Sequence, residues 1–411
     1  MLKKIKVSDL RRGMFVQEFC GSWMDHPFWK SALLIRSAEE LQKVLDSGVT
    51  ELWIDTVKGA DVSIDRLPAA SSFAKVEKEI DATLAEADES SPPSIRKVDF
   101  NEEVERAARI CAKGKQAVMS MFQEVRMGKA INAEVAGELV EEITNSVMRN
   151  PGALISLARL KSVDDYTYMH SVAVCALMVS LARQLDQDEA TIRELGMAGL
   201  LHDMGKANMP MDVLNKPGKL TDEEFAIMKT HPGEGHRMLL ASNSVGEIPL
   251  EVCLHHHEKV DGSGYPDRLS GDQISLFAKM GAVCDVYDAI TSNRPYKVGW
   301  DPAESIRKMT EWSTGHFDHR VFQAFVRSIG IYPVGSLVRL DSGRLGIIIE
   351  QSEKLLTPVV KVFFSIRAQA YIKPEIIDLS SPRTSEKIAG REDPDRWGMQ
   401  DVARFLHGGV N

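Results

Sequence analysis

Seven of the eleven histidines fall between His170 and His257, and the stretch from Pro27 to Met169 holds none. Five of the seven (His170, His202, His231, His256 and His257) join Asp203 and Asp285 within 116 residues of otherwise apolar, helix-forming sequence. A single histidine on an apolar helix face is normally a satisfied core residue. Five with two aspartates are not explained that way. The pattern calls for an all-helical core whose helices deliver these side chains to a shared polar centre.

Helical periodicity runs from Asn101 to about Ile329, as in Val135, Leu139, Val140, Ile143, Val147 and Met148. Its breaks fall at Pro151-Gly152, Pro210, Pro217-Gly218, Pro232-Gly233, Gly262 to Pro266, and Pro295. Residues 1–65 instead mix strand-like runs (Met14–Phe19, Ala32–Ile35, Glu51–Ile54) with a helix that Ser37 would cap and Gly48 would end. This is a small α+β module. Residues 66–98 turn to Ala, Ser, Glu and Asp and close on Ser90-Ser91-Pro92-Pro93-Ser94, a charged linker. Connecting helices over 99–150 then lead to the histidine-bearing core at 151–332. Beyond Tyr332-Pro333, alternating runs at Ser336–Leu340, Leu345–Glu350 and Pro358–Phe364 read as a small β module over 333–380. A polar tail whose composition suits disorder occupies 381–411. The fold class expected is multidomain and mainly α, with the helical core flanked by the α+β and β modules.

The balance of 59 acidic against 50 basic residues, a net charge of −9, argues against a nucleic-acid polymer as partner, which would need a basic face. Any anionic ligand must meet a local basic pocket. No run of 18 consecutive apolar residues occurs, and Met1-Leu2-Lys3-Lys4-Ile5-Lys6 leads into a charged, strand-like segment. The expectation is a cytoplasmic chain with no membrane span. Cys20, Cys111, Cys175, Cys253 and Cys284 are odd in number, far apart and lack Cys-x-x-Cys spacing, so they read as buried thiols.

In Leu200-Leu201-His202-Asp203-Met204-Gly205-Lys206, the His, Asp and Lys can share one face of a helix end, because i, i+3 and i+4 are neighbours. Imidazole nitrogens with carboxylate oxygens, and no thiolate cluster, favour Fe, Mn, Ni or Zn over a Cys-rich structural zinc site. More than six ligands implies two ions, with Asp203 as candidate bridge. Two cations about 4 Å apart on a shared carboxylate suit displacement at phosphorus, where they generate hydroxide and stabilise developing charge. Lys206, Arg294 and Lys297 stand beside these ligands as cations for a phosphate or a departing alkoxide, although an exposed charge is by default a solvated one. In the loop from His256-His257-Glu258 to Gly264-Tyr265-Pro266, Gly262 and Gly264 permit close backbone approach and Tyr265 presents its hydroxyl to a ligand.

Taken in order, His170, His202-Asp203-Met204-Gly205-Lys206, His231-Pro232 with Gly235, His256-His257-Glu258, Asp261 to Pro266, and Asp285-Val286-Tyr287-Asp288-Ala289 ahead of Arg294-Pro295-Tyr296 resemble the signature of the HD-GYP family. These are the cyclic di-GMP phosphodiesterases within the HD metal-dependent phosphohydrolases, and the resemblance covers roughly residues 150–330. It implies that His170, His202, Asp203 and Asp285 form the metal site shared with the wider HD group, and that His231, His256 and His257 complete a second site across Asp203. The implied cofactors are two divalent ions, Fe or Mn foremost, with Mg, Ni or Zn as alternatives. Asp203 and Lys206 become the catalytic residues, Lys206 contacting the scissile phosphate or the leaving oxygen, while Tyr265, Arg294 and Lys297 hold the dinucleotide. His255 reads as a flanking side chain, and Glu258 and Asp261 as partners that orient imidazoles. Some family members place a Glu four residues before the first His, where it can help hold a third metal; Tyr166 stands there in this chain. Two metals are therefore expected. The segment Gly21-Ser22-Trp23-Met24-Asp25-His26-Pro27-Phe28-Trp29 resembles the uncharacterised domain often found ahead of bacterial HD-GYP domains, and its aromatics read as core.

The activity implied is hydrolysis of cyclic di-GMP to linear pGpG and on to GMP. Two alternatives stand beside it. One is a catalytically weak receptor that binds cyclic di-GMP, or a diguanylate cyclase, and signals through the N-terminal module; turnover separates it from an enzyme. The other is an HD phosphohydrolase acting on a different nucleotide, which competition between nucleotides distinguishes. Oligomeric state is not encoded in any motif here.

Overall fold

The computed structural model describes residues 2–19, 33–45, 51–56, 58–60, 100–159, 166–216, 218, 220–292, 299–352, 354–399 and 405. The chain divides into two compact units, Met1–Ala85 and Glu86–Asn411.

In the first unit, β1 (Leu2–Lys6), β2 (Phe15–Phe19), β3 (Leu33–Leu34) and β4 (Glu51–Asp55) form an antiparallel sheet of order β1-β4-β2-β3, joined by α1 (Ala38–Leu45). Ser37 caps α1 as expected. Its hydroxyl accepts from the Glu40 N–H at 3.1 Å, and the Glu40 carboxylate accepts from the Ser37 N–H at 3.1 Å. Ile5, Val16, Ile35, Val44, Leu52 and Ile54 meet as its core. Trp23, Phe28 and Trp29, and the linker read at 66–98, lie outside the described residues.

The second unit begins with α2 (Phe100–Arg126), α3 (Ala133–Arg149), α4 (Pro151–Arg159), α5 (Tyr166–Gln184) and α6 (Glu189–Leu201). It continues through α7 (Met211–Leu214), α8 (Asp222–Met228), α9 (His231–Ser242), α10 (Glu247–His255), α11 (Leu276–Thr291), α12 (Pro302–His316) and α13 (His319–Ile329). Two of the prolines read as breaks, Pro151 and Pro232, start helices, as does Pro302; all three sit in first turns, where a missing N–H costs nothing. Asn132, Asp188, Thr221, Ser275, Asp301 and Asp318 accept from the first-turn N–H groups that follow them.

Helix α5 is buried on every side from Val172 to Val179, and α11 from Met280 to Thr291, so both are central helices rather than amphipathic surface ones. They pack on each other, and α6 packs on α5. At Gly199 of α6 an added Cβ would fall 2.8 Å from the Cys175 Cα, so the two backbones touch there. Any larger residue would push α6 off α5. Cys111, Cys175, Cys253 and Cys284 are buried, as expected.

A five-stranded antiparallel sheet follows: β5 (Leu337–Leu340), β6 (Arg344–Glu350), β7 (Val359–Ser365), β8 (Ala370–Asp378) and β9 (Ile388–Arg391), in the order β8-β7-β6-β5-β9. It extends beyond the residue-380 boundary read from sequence. Strand β9 comes from the supposed polar tail, and Phe405 stacks on Phe363 with ring centroids 3.9 Å apart. Short length and a central glycine hid β9. Pro374 hid β8, since proline denies the ladder a donor and is tolerated where the strand is an edge. Arg391 ties this sheet to the helices by donating to the Ala303 carbonyl at 3.3 Å. Among the described residues, no helix is long and apolar enough to cross a membrane.

Candidate metal centre

Five helices bring the seven side chains together. His170 lies in the second turn of α5, His202 ends α6, His231 opens α9, His256 and His257 follow α10, and Asp285 sits within α11. The run from His202 to Lys206 does not continue one helix face as expected. The α-helix stops at Leu201 and a 3-10 turn spans Met204–Asn208, so Lys206 meets Asp203 through the eclipsed i, i+3 positions of that tighter turn. Gly205 lets this turn rest on α9: a Cβ there would fall 1.9 Å from the His231 carbonyl oxygen.

The ligand atoms form two groups, each gathered within 4.8 Å: His170, His202 and Asp285, and Asp203, His231, His256 and His257. Asp203 faces both. Its Oδ2 lies 3.5 Å from Nε2 of both His170 and His202, and its Oδ1 lies 3.2 Å from His231 Nε2 and 3.8 Å from His256 Nε2.

The hydrogen bonds of the outer ring nitrogens assign the tautomers. Nδ1 of His202 donates to the Gly199 carbonyl at 2.8 Å, that of His231 to Met228 at 2.7 Å, and that of His256 to Val252 at 3.0 Å. His170 Nδ1 meets Asp288 Oδ2 at 2.6 Å. A neutral ring with its proton on Nδ1 turns a bare Nε2 inward. At His231 and His256 acceptor then opposes acceptor, their Nε2 atoms 3.5 Å apart, and the Nε2 atoms of His202 and His170 come within 3.3 Å. Asp203 Oδ1 is buried with no hydrogen-bond donor among the described residues. Lone pairs so opposed repel one another, and a cation between them reverses the sign of the interaction.

The charges agree. Burial opposes ionisation of Asp203, but the Lys206 ammonium and His202 hold its pKa well below the usual carboxylate range. Asp285 is held low too, burial being outweighed by His170 and His202 beside it. Burial, reinforced by His202, drives His256 down to about 3, and burial also lowers His231 and His257, so these rings are neutral near pH 7. At His202 burial is outweighed by Asp203 and Asp285, which raise its pKa; the two carboxylates favour positive charge at that point. Neutral imidazoles and ionised carboxylates fit a borderline divalent ion. The neighbouring Cys253 thiol is pushed up by burial and stays protonated.

Tyr265 covers the outside of this cluster. Its ring stacks on His257 at 4.7 Å and 27°, and burial followed by Asp285 and Asp203 raises its phenol well above the usual value, keeping it a donor. Lys229 Nζ stands 5.5 Å from the centroid of the same ring. Beside them opens a cavity of about 430 Å³ lined by Lys229, Thr230, Arg268 and the segment from Gly262 to Pro266.

Arg294 and Lys297 lie outside the described residues, and of Tyr166 only its place in α5 is described. His255 is a flanking side chain as expected, held between Glu251 and Asp267 at 3.0 Å each. Among the described residues, Glu258 and Asp261 hydrogen-bond backbone N–H groups rather than the imidazoles they were expected to orient. Glu258 accepts from the Asp267 N–H at 2.7 Å and Asp261 from the Ser263 N–H at 2.9 Å, so both brace the loop that carries Tyr265. Asp288 orients a ring instead, and the available signal was its place one helical turn after Asp285. Lys229 and Arg268 were likewise unread.

Two family descriptions match the chain: a domain of unknown function (DUF3391) over residues 2–136, and the HD domain over residues 144–321. The first runs past residue 65, through α2 and into the first turn of α3. The chain is 52% identical to cyclic di-GMP phosphodiesterase PA4108 of Pseudomonas aeruginosa over 99% of its own length and 96% of that protein's. It is 43% identical to the cyclic di-GMP phosphodiesterase response regulator RpfG of Xanthomonas campestris pv. campestris over 36% of this chain and 39% of the relative. The 3'3'-cGAMP-specific phosphodiesterase 1 of Vibrio cholerae is 34% identical over 46% of this chain and 42% of the relative.

Proposed function

The chain belongs to the HD-GYP family of cyclic di-GMP phosphodiesterases, and from that premise we propose that it opens the cyclic di-GMP ring by attack of water, releasing linear pGpG and then cutting it to GMP. The observation that carries this reading is Asp203, whose two oxygens face two separate groups of ligands across a set of bare imidazole nitrogens. His170, His202 and Asp285 would hold one divalent ion, His231, His256 and His257 the other, and Asp203 both, with Fe or Mn best suited to the mixed shell. When bound, such a pair of ions supplies Lewis acidity and lowers the pKa of water toward neutrality. Lys206, beside Asp203 at the rim, neutralises charge on the phosphate and on the departing oxygen. The Tyr265 hydroxyl, held protonated, donates to the substrate, and Tyr265→Phe would raise KM while leaving the metals in place.

The deciding experiment is a product time course. Protein purified without chelator or oxygen is supplied with Mn or ferrous iron, mixed with cyclic di-GMP, and resolved by chromatography. Appearance of pGpG followed by GMP is the expected result. Substrate that survives with both sites filled would replace the enzyme with a receptor. Competition from 3'3'-cGAMP in the same assay, at equal or better turnover, would reassign the nucleotide.

A further inference from the structure

The cavity outside Tyr265 has a charge that the metal cluster does not explain. Lys229 and Arg268 both line it, in a chain of net charge −9, and among the described residues neither forms an ion pair or side-chain hydrogen bond. Among the described residues no carboxylate lines it. Arg268 is held in left-handed backbone at φ 55, a conformation costly for a non-glycine residue and kept mainly where surrounding structure enforces it. Here the enforcement is visible: buried Glu258 anchors the adjacent Asp267 N–H at 2.7 Å. Lys229 comes two residues before His231, its Nζ lies 4.5 Å from the Phe225 ring centroid and 5.5 Å from that of Tyr265, and Tyr265 stacks on His257. The cavity therefore adjoins the metal cluster at Tyr265, which lines the one and stacks on a residue of the other. Its volume of about 430 Å³ falls in the range of small-molecule sites.

A cyclic dinucleotide carries two phosphodiesters, and only one can lie over the metals at a time. We propose that this cavity seats the uncut half of the substrate, with Lys229 and Arg268 gripping the phosphodiester that is not being cleaved and Tyr265 offering its ring edge to the sugar-base unit. This assignment rests on the phosphodiesterase reading above. It also gives the second cut a geometric requirement: the linkage gripped by Lys229 and Arg268 must leave them and move over the metals. A tighter grip favours release of pGpG over GMP.

The test compares wild type, Lys229→Ala, Arg268→Ala and Lys229→Arg in the full-length, metal-loaded protein, with melting temperature and metal content measured for each. Two substrates are used, cyclic di-GMP and bis(p-nitrophenyl) phosphate, which has one phosphodiester and no second half to hold. Each alanine variant is expected to raise KM for cyclic di-GMP about tenfold, the scale of one charge-assisted contact. The loss on the single diester should be several-fold smaller, and Lys229→Arg should recover most of the dinucleotide affinity. Equal loss on both substrates, or an unchanged KM, overturns the proposal. Calorimetric binding of cyclic di-GMP is followed in parallel. A wild type that binds but does not turn over refutes the phosphodiesterase reading, while the variants' affinities still decide the subsite; absence of binding refutes both.

Discussion

His170 Nδ1 lies 2.6 Å from Asp288 Oδ2, while Nε2 of the same ring lies 3.0 Å from Asp285 Oδ1. One turn of α11 thus supplies both a ligand and the group that fixes the tautomer of its neighbour, and the Ser292 hydroxyl donates to the other Asp288 oxygen at 3.2 Å. Asp288→Ala should lower metal affinity by about 10- to 100-fold, the usual effect of losing such a partner. Metal retention measured against a graded chelator checks this, and wild-type retention would show that the contact is not needed. Asp288→Asn, which keeps an acceptor, should recover part of the loss.

Asp203→Ala should remove both ions together and lower turnover by at least about a thousandfold, as loss of a central electrostatic group does. Elemental analysis after gel filtration reads the first effect. Two ions retained per chain would refute the bridging role while leaving the remaining ligands standing.

Gly205→Ala should act through shape. The new Cβ would lie 1.9 Å from the His231 carbonyl oxygen and 2.6 Å from the Gly235 nitrogen, both of them backbone atoms that move only with α9. The expected cost is about 1–3 kcal/mol of stability from overpacking, with a lower melting temperature and weaker binding at the group that contains His231. A variant with wild-type melting and metal stoichiometry would show that the turn and α9 are free to separate.

Acid sensitivity should trace in part to Glu103, a buried carboxylate on α2. Burial alone would raise its pKa, but hydrogen bonds from Arg149 at 2.7 Å and Ser146 at 2.8 Å outweigh that and leave it lowered. A depressed folded-state pKa stabilises the fold above the unfolded value of about 4.3, and that stability is lost as pH falls through the folded value. Arg149→Met should cost about 2 kcal/mol near pH 7, discounted because Arg149 is one-third exposed. Melting temperatures between pH 3 and 7 should converge with wild type at the acid end; a constant gap across that range would mean that ionisation of Glu103 is not the cause.

The helical character of the core was legible because helix signals are local. The periodicity read in Val135, Leu139, Val140, Ile143 and Val147 is that of α3, and Pro151 and Pro232, read as breaks, open first turns, whereas the caps at Asp188, Thr221, Ser275 and Asp301 were not read. Strands β8 and β9 were less legible, because Pro374 is acceptable only at a sheet edge and β9 pairs with a strand some 50 residues earlier. Edge position is a property of the assembled sheet.

At the centre, sequence by itself determined the kinds of ligand: imidazoles and carboxylates on helix-forming segments, enough of them for two cations, with a glycine-rich loop and Tyr265 beside them. The family resemblance implied how they divide, but only the tertiary structure decided the distances that make the division real. The facing of Asp203 Oδ1 toward His231 and Oδ2 toward His170 depends on α6 lying against α5 at Gly199 and on the turn at Gly205 lying against α9. The roles of Asp288, Lys229 and Arg268 arise from the same crossings. Periodicity reports which face of a helix is apolar, but the distance between atoms on different helices is set by how closely their backbones approach, and no local pattern carries that information.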